Sequence, residues 1–251
     1  MAVMQSTSVS LSPQPDRTAG EAIRGISSMA TRSLLADLGA DFARQSGVTV
    51  RIESVGGVDA ARRVQAGEAF DVVWLASDAI DKLVASGHLQ SDSRVDIVRS
   101  AVAVAVPAGA ALPDIGSEEA LRAAVLSARC IGYSTGPSGT ALMDLFARWG
   151  IAGQIAPRLL QAPAGVPVGA LLARGEVDLG FQQASELLNL PGIQVLGVMP
   201  PAVQITTTFS AGVPVGVGVD TAQAKRVRAL LDFMSAPQSV AICRRHGMEP
   251  A

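Results

Sequence analysis

Small hydroxyl, glycine and amide residues recur at five points of this 251-residue chain: Ser27–Ser28, Gly56–Gly57, Ser77–Asp78, the loop with Ser134, Thr135 and Ser138, and Gln182–Gln183. Each point follows an apolar run and precedes a helical one. A helix start exposes unpaired N–H groups and a partial positive charge, so small neutral donors there favour an anion. Taken singly, serine and aspartate are also ordinary helix caps, and a glycine pair is an ordinary turn. Two adjacent amides directly after VDLGF are harder to place, because a buried strand end demands partners for them. Proton chemistry would need more than this cradle: a carboxyl group titrating near neutrality, and donors that stabilise a carboxylate-conjugated carbanion. Asp59, Asp78 and Glu186 are the candidate bases, each competing with a solvated helix face or, for Glu186, a first-turn role. Arg32, Arg62 and Arg63 could grip carboxylates through two N–H groups each.

The elements that must position these residues alternate. EAIRGISS reads as a strand, and ATRSLLADLGADFARQSG as a helix with Leu34, Leu35, Leu38 and Phe42 on one face, stopping at Gly47. VTVRIESV alternates like a strand, DAARRVQAG is helical, and FDVVWLAS is a continuous apolar strand of the kind buried on both faces. This cadence predicts an α/β fold with mainly parallel sheets. The rhythm breaks at Pro107, after SAVAVAVP, and a second series runs through RCIGYS, GPSGTALMDLF, VPVGALLARGE and VDLGFQQ to the long β-like run after Gln204. The two flanking strands read as two crossings of a hinge. The expected organisation is therefore a disordered tail over 1–20, lobe I from 21–105 plus 206–251, and an inserted lobe II over 106–205.

Composition narrows the partners. A formal net charge of -2 leaves no electrostatic footprint for nucleic acid. Cys130 and Cys243 stand in no metal spacing, and His88 and His246 sit beside glycines at expected helix ends, so neither a metal nor a cofactor is expected. No run reaches the roughly 18–20 apolar residues of a membrane span, so direct insertion is not expected. The N-terminal stretch lacks the pattern of a secretory signal. The expected compartment is cytoplasmic if this N-terminus is native, and periplasmic if a leader has been lost.

ISSM, ARRVQAGEAFDVVWLASD and GPSGTALMDLF together resemble the molybdate-binding proteins that serve ABC importers, over roughly residues 21–247. Those are type II periplasmic solute-binding proteins, with two Rossmann-like lobes, two hinge strands and a ligand closed in the cleft. The resemblance implies binding groups at Ser28, Gly56–Gly57, Ser138, Val166 beside Gly165, and Gln183. Ser28 matches the family's first serine, and Ser138 stands where an alanine offers its backbone N–H. Two positions depart: the second serine is glycine here, and a tyrosine is Gln183. The lost hydroxyl and the space at glycine imply a ligand larger than a tetrahedral oxyanion. Within the family, GFQQASELLNLPGI resembles the aconitate isomerases, which implies a tricarboxylate whose double bond moves by proton abstraction and return. Three readings follow: capture of a di- or tricarboxylate, isomerisation of cis- and trans-aconitate, or molybdate/tungstate delivery to an ABC permease if the protein is exported. Capture stands first, because a binding constellation is visible and a catalytic one is not.

Overall fold

A computed structural model describes residues 22–163, 165–218 and 221–251; the tail expected over 1–20 lies outside them. The order is β1 (Ile23–Ser28), a 3-10 turn (Met29–Thr31), α1 (Arg32–Ser46), β2 (Val50–Val55), α2 (Gly57–Gln65), β3 (Val72–Ala76), α3 (Ser77–Ala85) and β4 (Val95–Pro107). Then come α4 (Glu118–Ser127), β5 (Ile131–Tyr133), α5 (Pro137–Arg148), α6 (Ala152–Ile155), β6 (Leu159–Gln161), α7 (Val168–Ala173), β7 (Leu179–Gln183), α8 (Ala184–Leu187) and β8 (Ile193–Val198). The chain closes with β9 (Thr206–Gly212), α9 (Ala222–Ser235), α10 (Val240–Arg245) and β10 (Met248–Pro250).

Apolar spacing becomes packing directly in α1. Leu34, Leu35, Leu38 and Phe42 form its buried stripe, and Gly47 ends it with a left-handed φ of 72°. β3 is buried at every residue because both of its faces are covered. Val72, Trp74 and Ala76 share one core with residues of α1 and α9, while Val73 and Leu75 share another with residues of α2 and α3. Burying each of the large aliphatic side chains contributes about 1.5–3 kcal/mol.

Two parallel blocks result, β2-β1-β3 and β6-β5-β7. The mainly parallel character expected from sequence holds inside these blocks, whereas the joins are antiparallel. β9 runs against β3 and β4, and β4 runs against β7 and β8. Parallel neighbours need a crossover helix between them; strands that carry the chain out of one lobe and back again lie antiparallel instead. β4 is the shared strand. Its residues Val95–Ala101 pair with β9, and Val102–Ala105 pair with β7. Val98 joins the core of the first lobe, and Val102, Val104 and Val106 join that of the second. The chain returns beside it: Met199 N–H donates to Val102 O at 3.1 Å, and Val102 N–H donates to Ile205 O at 2.8 Å. The fold is thus α/β, two lobes joined by two strands. Among the described residues no helix is long and apolar enough to cross a membrane.

Candidate functional site

The strand ends of the first lobe carry hydroxyls, but most of them are engaged internally. Ser27 Oγ bonds to Ser54 Oγ at 2.8 Å and donates to Ser28 O at 3.2 Å, tying β1 to β2. Ser77 Oγ donates to Thr208 O and meets Ser210 Oγ, both at 2.9 Å, tying the start of α3 to β9. Ser28 differs: its Oγ is buried and has no partner among the described residues. Gly57 faces it, and a Cβ at Gly57 would lie 3.7 Å from Ser28 Cβ, an ordinary contact, so a larger side chain there would fill space beside the free hydroxyl. Gly56 precedes the helix and turns the chain toward Asp59.

The second lobe supplies a different set. α5 begins at Pro137, whose fixed φ suits a first helical position, and Ser138 follows, buried in the first turn. In that turn Pro137 has no N–H, and the N–H groups of Gly139 and Thr140 both donate to Gly136 O, at 2.9 and 3.3 Å. Gly139 permits the geometry, since a Cβ there would sit 1.9 Å from Ser134 O. Ser134 and Ser138 share a bond of 3.1 Å, and Thr135 is exposed. Val166 is half-buried, its N–H donating to Pro163 O at 2.9 Å.

Both amides at the end of β7 are buried, each in a separate role. Gln182 Oε1 accepts from Val168 N–H at 2.8 Å. Gln183 Nε2 donates to Thr207 Oγ1 at 2.7 Å, across to β9, and its Oε1 has no partner among the described residues. Glu186 sits on α8 with only part of its surface exposed; loss of water pushes its carboxyl up to about 7, against the opposing pull of the Gln182 amide.

α8 is also where the lobes touch. Ser185 Oγ donates to Ala30 O at 2.9 Å, in the 3-10 turn that follows Ser28. Leu188 rests against Gly247, where an added Cβ would come within 2.6 Å of Leu188 Cδ1. The residue next to Glu186 is therefore anchored to the turn that begins at the free serine.

The remaining candidates lie on solvated faces. Asp59, half-buried, accepts from Arg62 at 2.7 Å, and Asp78, exposed, pairs with Lys82 at 3.7 Å. Arg63 forks between Glu53 and Glu68 and lies over the Phe70 ring, and Arg32 is exposed at the start of α1. A 470 Å³ hollow lined by Phe42, Gln45, Asp232 and Phe233 lies between α1 and α9 and shares no residue with the strand-end cluster. Among the described residues no group of histidine, cysteine, aspartate or glutamate is set to hold a metal ion.

Four buried side-chain polar atoms lack partners among the described residues: Ser28 Oγ, Gln183 Oε1, Trp74 Nε1 and Ser100 Oγ. The first two are residues that the strand-end pattern singles out, and buried polar atoms are rarely left alone. Ser185 and Thr207, which join the lobes, are not found by that pattern. Ser185 follows the amide pair within ASEL, but nothing in the sequence marks it as a contact between lobes.

The family profile described as bacterial extracellular solute-binding protein matches residues 23–249. An aconitate isomerase of a Pseudomonas species is 38% identical over 190 residues, 75% of this chain and 70% of that protein. The fold matches the periplasmic molybdate-binding protein of Azotobacter vinelandii with a TM-score of 0.72 at 21% identity, covering 90% of this chain and 98% of that one. It also matches the sulfate-binding protein of Mycobacterium tuberculosis H37Rv with a TM-score of 0.73 at 16% identity, covering 92% and 87%.

Proposed function

This chain belongs to the bacterial extracellular solute-binding protein family, and on that premise we propose that it closes its lobes on a small tricarboxylate and moves a double bond within it, interconverting cis- and trans-aconitate. The observation that carries this reading is Glu186. A protein that only captures an anion has no need of a carboxyl held near neutrality inside its lobe contact, whereas a proton-exchanging enzyme does. The identity shared with an aconitate isomerase supports it.

The chemistry balances without any further reactant. Glu186, as carboxylate, takes a proton from the methylene carbon of the substrate. The electron pair left behind spreads over the allyl system into the adjoining carboxylates. Glu186 then returns the proton to the far carbon, and the double bond has moved. Burial raises its proton affinity enough for both steps to run near pH 7. The substrate carboxylates need donors: the Ser28 hydroxyl from one lobe, and the first turn of α5 at Ser138 from the other. Gln183 can join them. Thr207 Oγ1 can donate as well as accept, so turning the Gln183 amide over keeps that bond and frees its N–H groups.

The deciding experiment incubates the purified protein with trans-aconitate and follows the cis isomer by chromatography. Turnover in the native protein that is lost in Glu186→Gln supports the reading; no turnover removes it. Capture without conversion is the second reading, favoured by the unpartnered atoms of Ser28 and Gln183. It predicts a rise in Tm with aconitate but no product. Equal or greater stabilisation by molybdate would return the site to an oxyanion carrier.

A further inference from the structure

We propose that Ser100, Thr207 and Gln183 form a hydrogen-bond chain across the hinge that reverses direction to turn the Gln183 N–H groups toward a ligand carboxylate, with Ser100 and Thr207 as positioning residues. This rests on the reading that a carboxylate is seated at Gln183. β4 lies between β9 and β7 in the sheet. Ser100 of β4 stands opposite Thr207 of β9, and Val102, two residues on, stands opposite Gln183 of β7. Residues directly opposite in an antiparallel pair project to the same face, as do residues two apart in one strand. The bond from Gln183 Nε2 to Thr207 Oγ1, at 2.7 Å, therefore reaches over β4 where Ser100 lies. Ser100 is wholly buried and Gln183 almost so.

Two of the buried polar atoms without partners among the described residues flank this one bond, Ser100 Oγ and Gln183 Oε1. In the present direction Thr207 Oγ1 accepts, and the oxygen is the end of the Gln183 amide left over. An acceptor oxygen repels a carboxylate. A threonine hydroxyl both donates and accepts, and its proton rotates to suit. When the amide turns over, Thr207 O–H donates to Gln183 Oε1, and Nε2 is left to donate to the ligand. A lone pair of Thr207 Oγ1 is then open to the Ser100 hydroxyl across the ladder, and serine–threonine bonds are an ordinary form of cross-strand pair. The reversed chain runs from Ser100 to Thr207 to Gln183 to carboxylate. It gives each of these buried groups a partner, which the present direction does not. No proton changes owner; only the direction of donation does. The hinge thereby selects for negative charge at Gln183.

Calorimetry with cis- and trans-aconitate on the native protein, Ser100→Ala, Thr207→Val and Thr207→Ser tests the chain. Ser100→Ala should weaken aconitate roughly fivefold. Its Tm without ligand should stay unchanged or rise, because the substitution removes a buried polar atom that has no partner until the carboxylate arrives. Thr207→Val keeps the volume, removes the hydroxyl and should weaken aconitate by about tenfold or more. Thr207→Ser restores the hydroxyl and should return affinity to within about twofold of native. A residue that only supported the hinge would do the reverse, lowering Tm and leaving affinity alone. Affinity within about twofold of native in either Ser100→Ala or Thr207→Val overturns the proposal, as does failure of the native protein to bind aconitate. If aconitate binds without being converted, the isomerase reading fails on its own, and the affinities still decide the roles of Ser100 and Thr207.

Discussion

The strand ends of the two lobes solve the same problem with different chemistry. On the first lobe, Ser27 and Ser77 hold neighbouring strands together, and what remains is one free hydroxyl, Ser28, beside the open space at Gly57. That rim can accept a shape and donate one hydrogen bond. On the second lobe, the rim carries the helix start at Ser138 and, on α8, the Glu186 carboxyl, which loss of water pushes up to about 7. The difference teaches that the lobes are not interchangeable jaws. One sets the room, the other holds the acid, and α8 brings them together through Ser185 and Ala30.

Removing the acid should have the largest effect. Glu186→Gln is expected to lower aconitate turnover by roughly 10²–10⁴-fold while aconitate still raises Tm; a loss of both would make Glu186 part of the grip instead. The free hydroxyl comes next. Ser28→Ala should weaken aconitate binding by about 1–3 kcal/mol, read by calorimetry, because the ligand keeps a polar group with no partner. Ser77→Ala on the same rim should leave affinity unchanged and lower stability by about 1 kcal/mol, since its bonds run to β9. Gly57→Ser tests the room: it should fold normally, weaken aconitate by about tenfold and favour molybdate, seen as a reversed order of Tm shifts.

The two lobes should also differ in their response to pH. The folded state holds the Glu186 carboxyl above its unfolded value of 4.5, so the stabilisation belongs to the protonated form. It is complete below about 4.5 and is lost as pH rises through about 7. Glu186→Gln should therefore raise Tm at pH 8 and change it little at pH 4. Asp96 runs the other way: the Ser210 hydroxyl and then Arg94 hold its carboxyl below the usual range. Its contribution is present above about 3.8 and fades as pH falls further, and Asp96→Asn should flatten that acid limb of a Tm titration. The smallest effects belong to Asp59→Asn and Asp78→Asn. Their exposed pairs with Arg62 and Lys82 predict turnover within about twofold of native and Tm within about a degree.

Much of this is legible in the order of the residues alone. Periodicity marks α1 and the buried strand β3, and the placing of small polar residues after apolar runs draws attention to Ser28, Ser138 and the amide pair. What one dimension withholds is which polar atoms are already satisfied. Ser27, Ser28 and Ser77 look alike in sequence, and only the pairing of β1 with β2 and of β3 with β9 separates engaged hydroxyls from the free one. The same limit keeps three carboxylates level as bases. Asp59 and Asp78 find cations three and four residues onward on their own helices, whereas α8, which carries Glu186, packs in part on β4 and the 3-10 turn, far away in the chain. The amide pair hides a division of labour, with Gln182 turned to Val168 and Gln183 to Thr207.

The shared strand β4 has a consequence for synthesis. The parallel strands of the second lobe, β6-β5-β7, come from one unbroken stretch. The first lobe differs: β9 lies between β3 and β4, and α9 and α10 cover its core, yet all three come from residues 206–251. The N-terminal strands are made first and must wait, unpaired along one edge, until the end of the chain arrives. The sheet of the first lobe can therefore be completed only after β9 has been made.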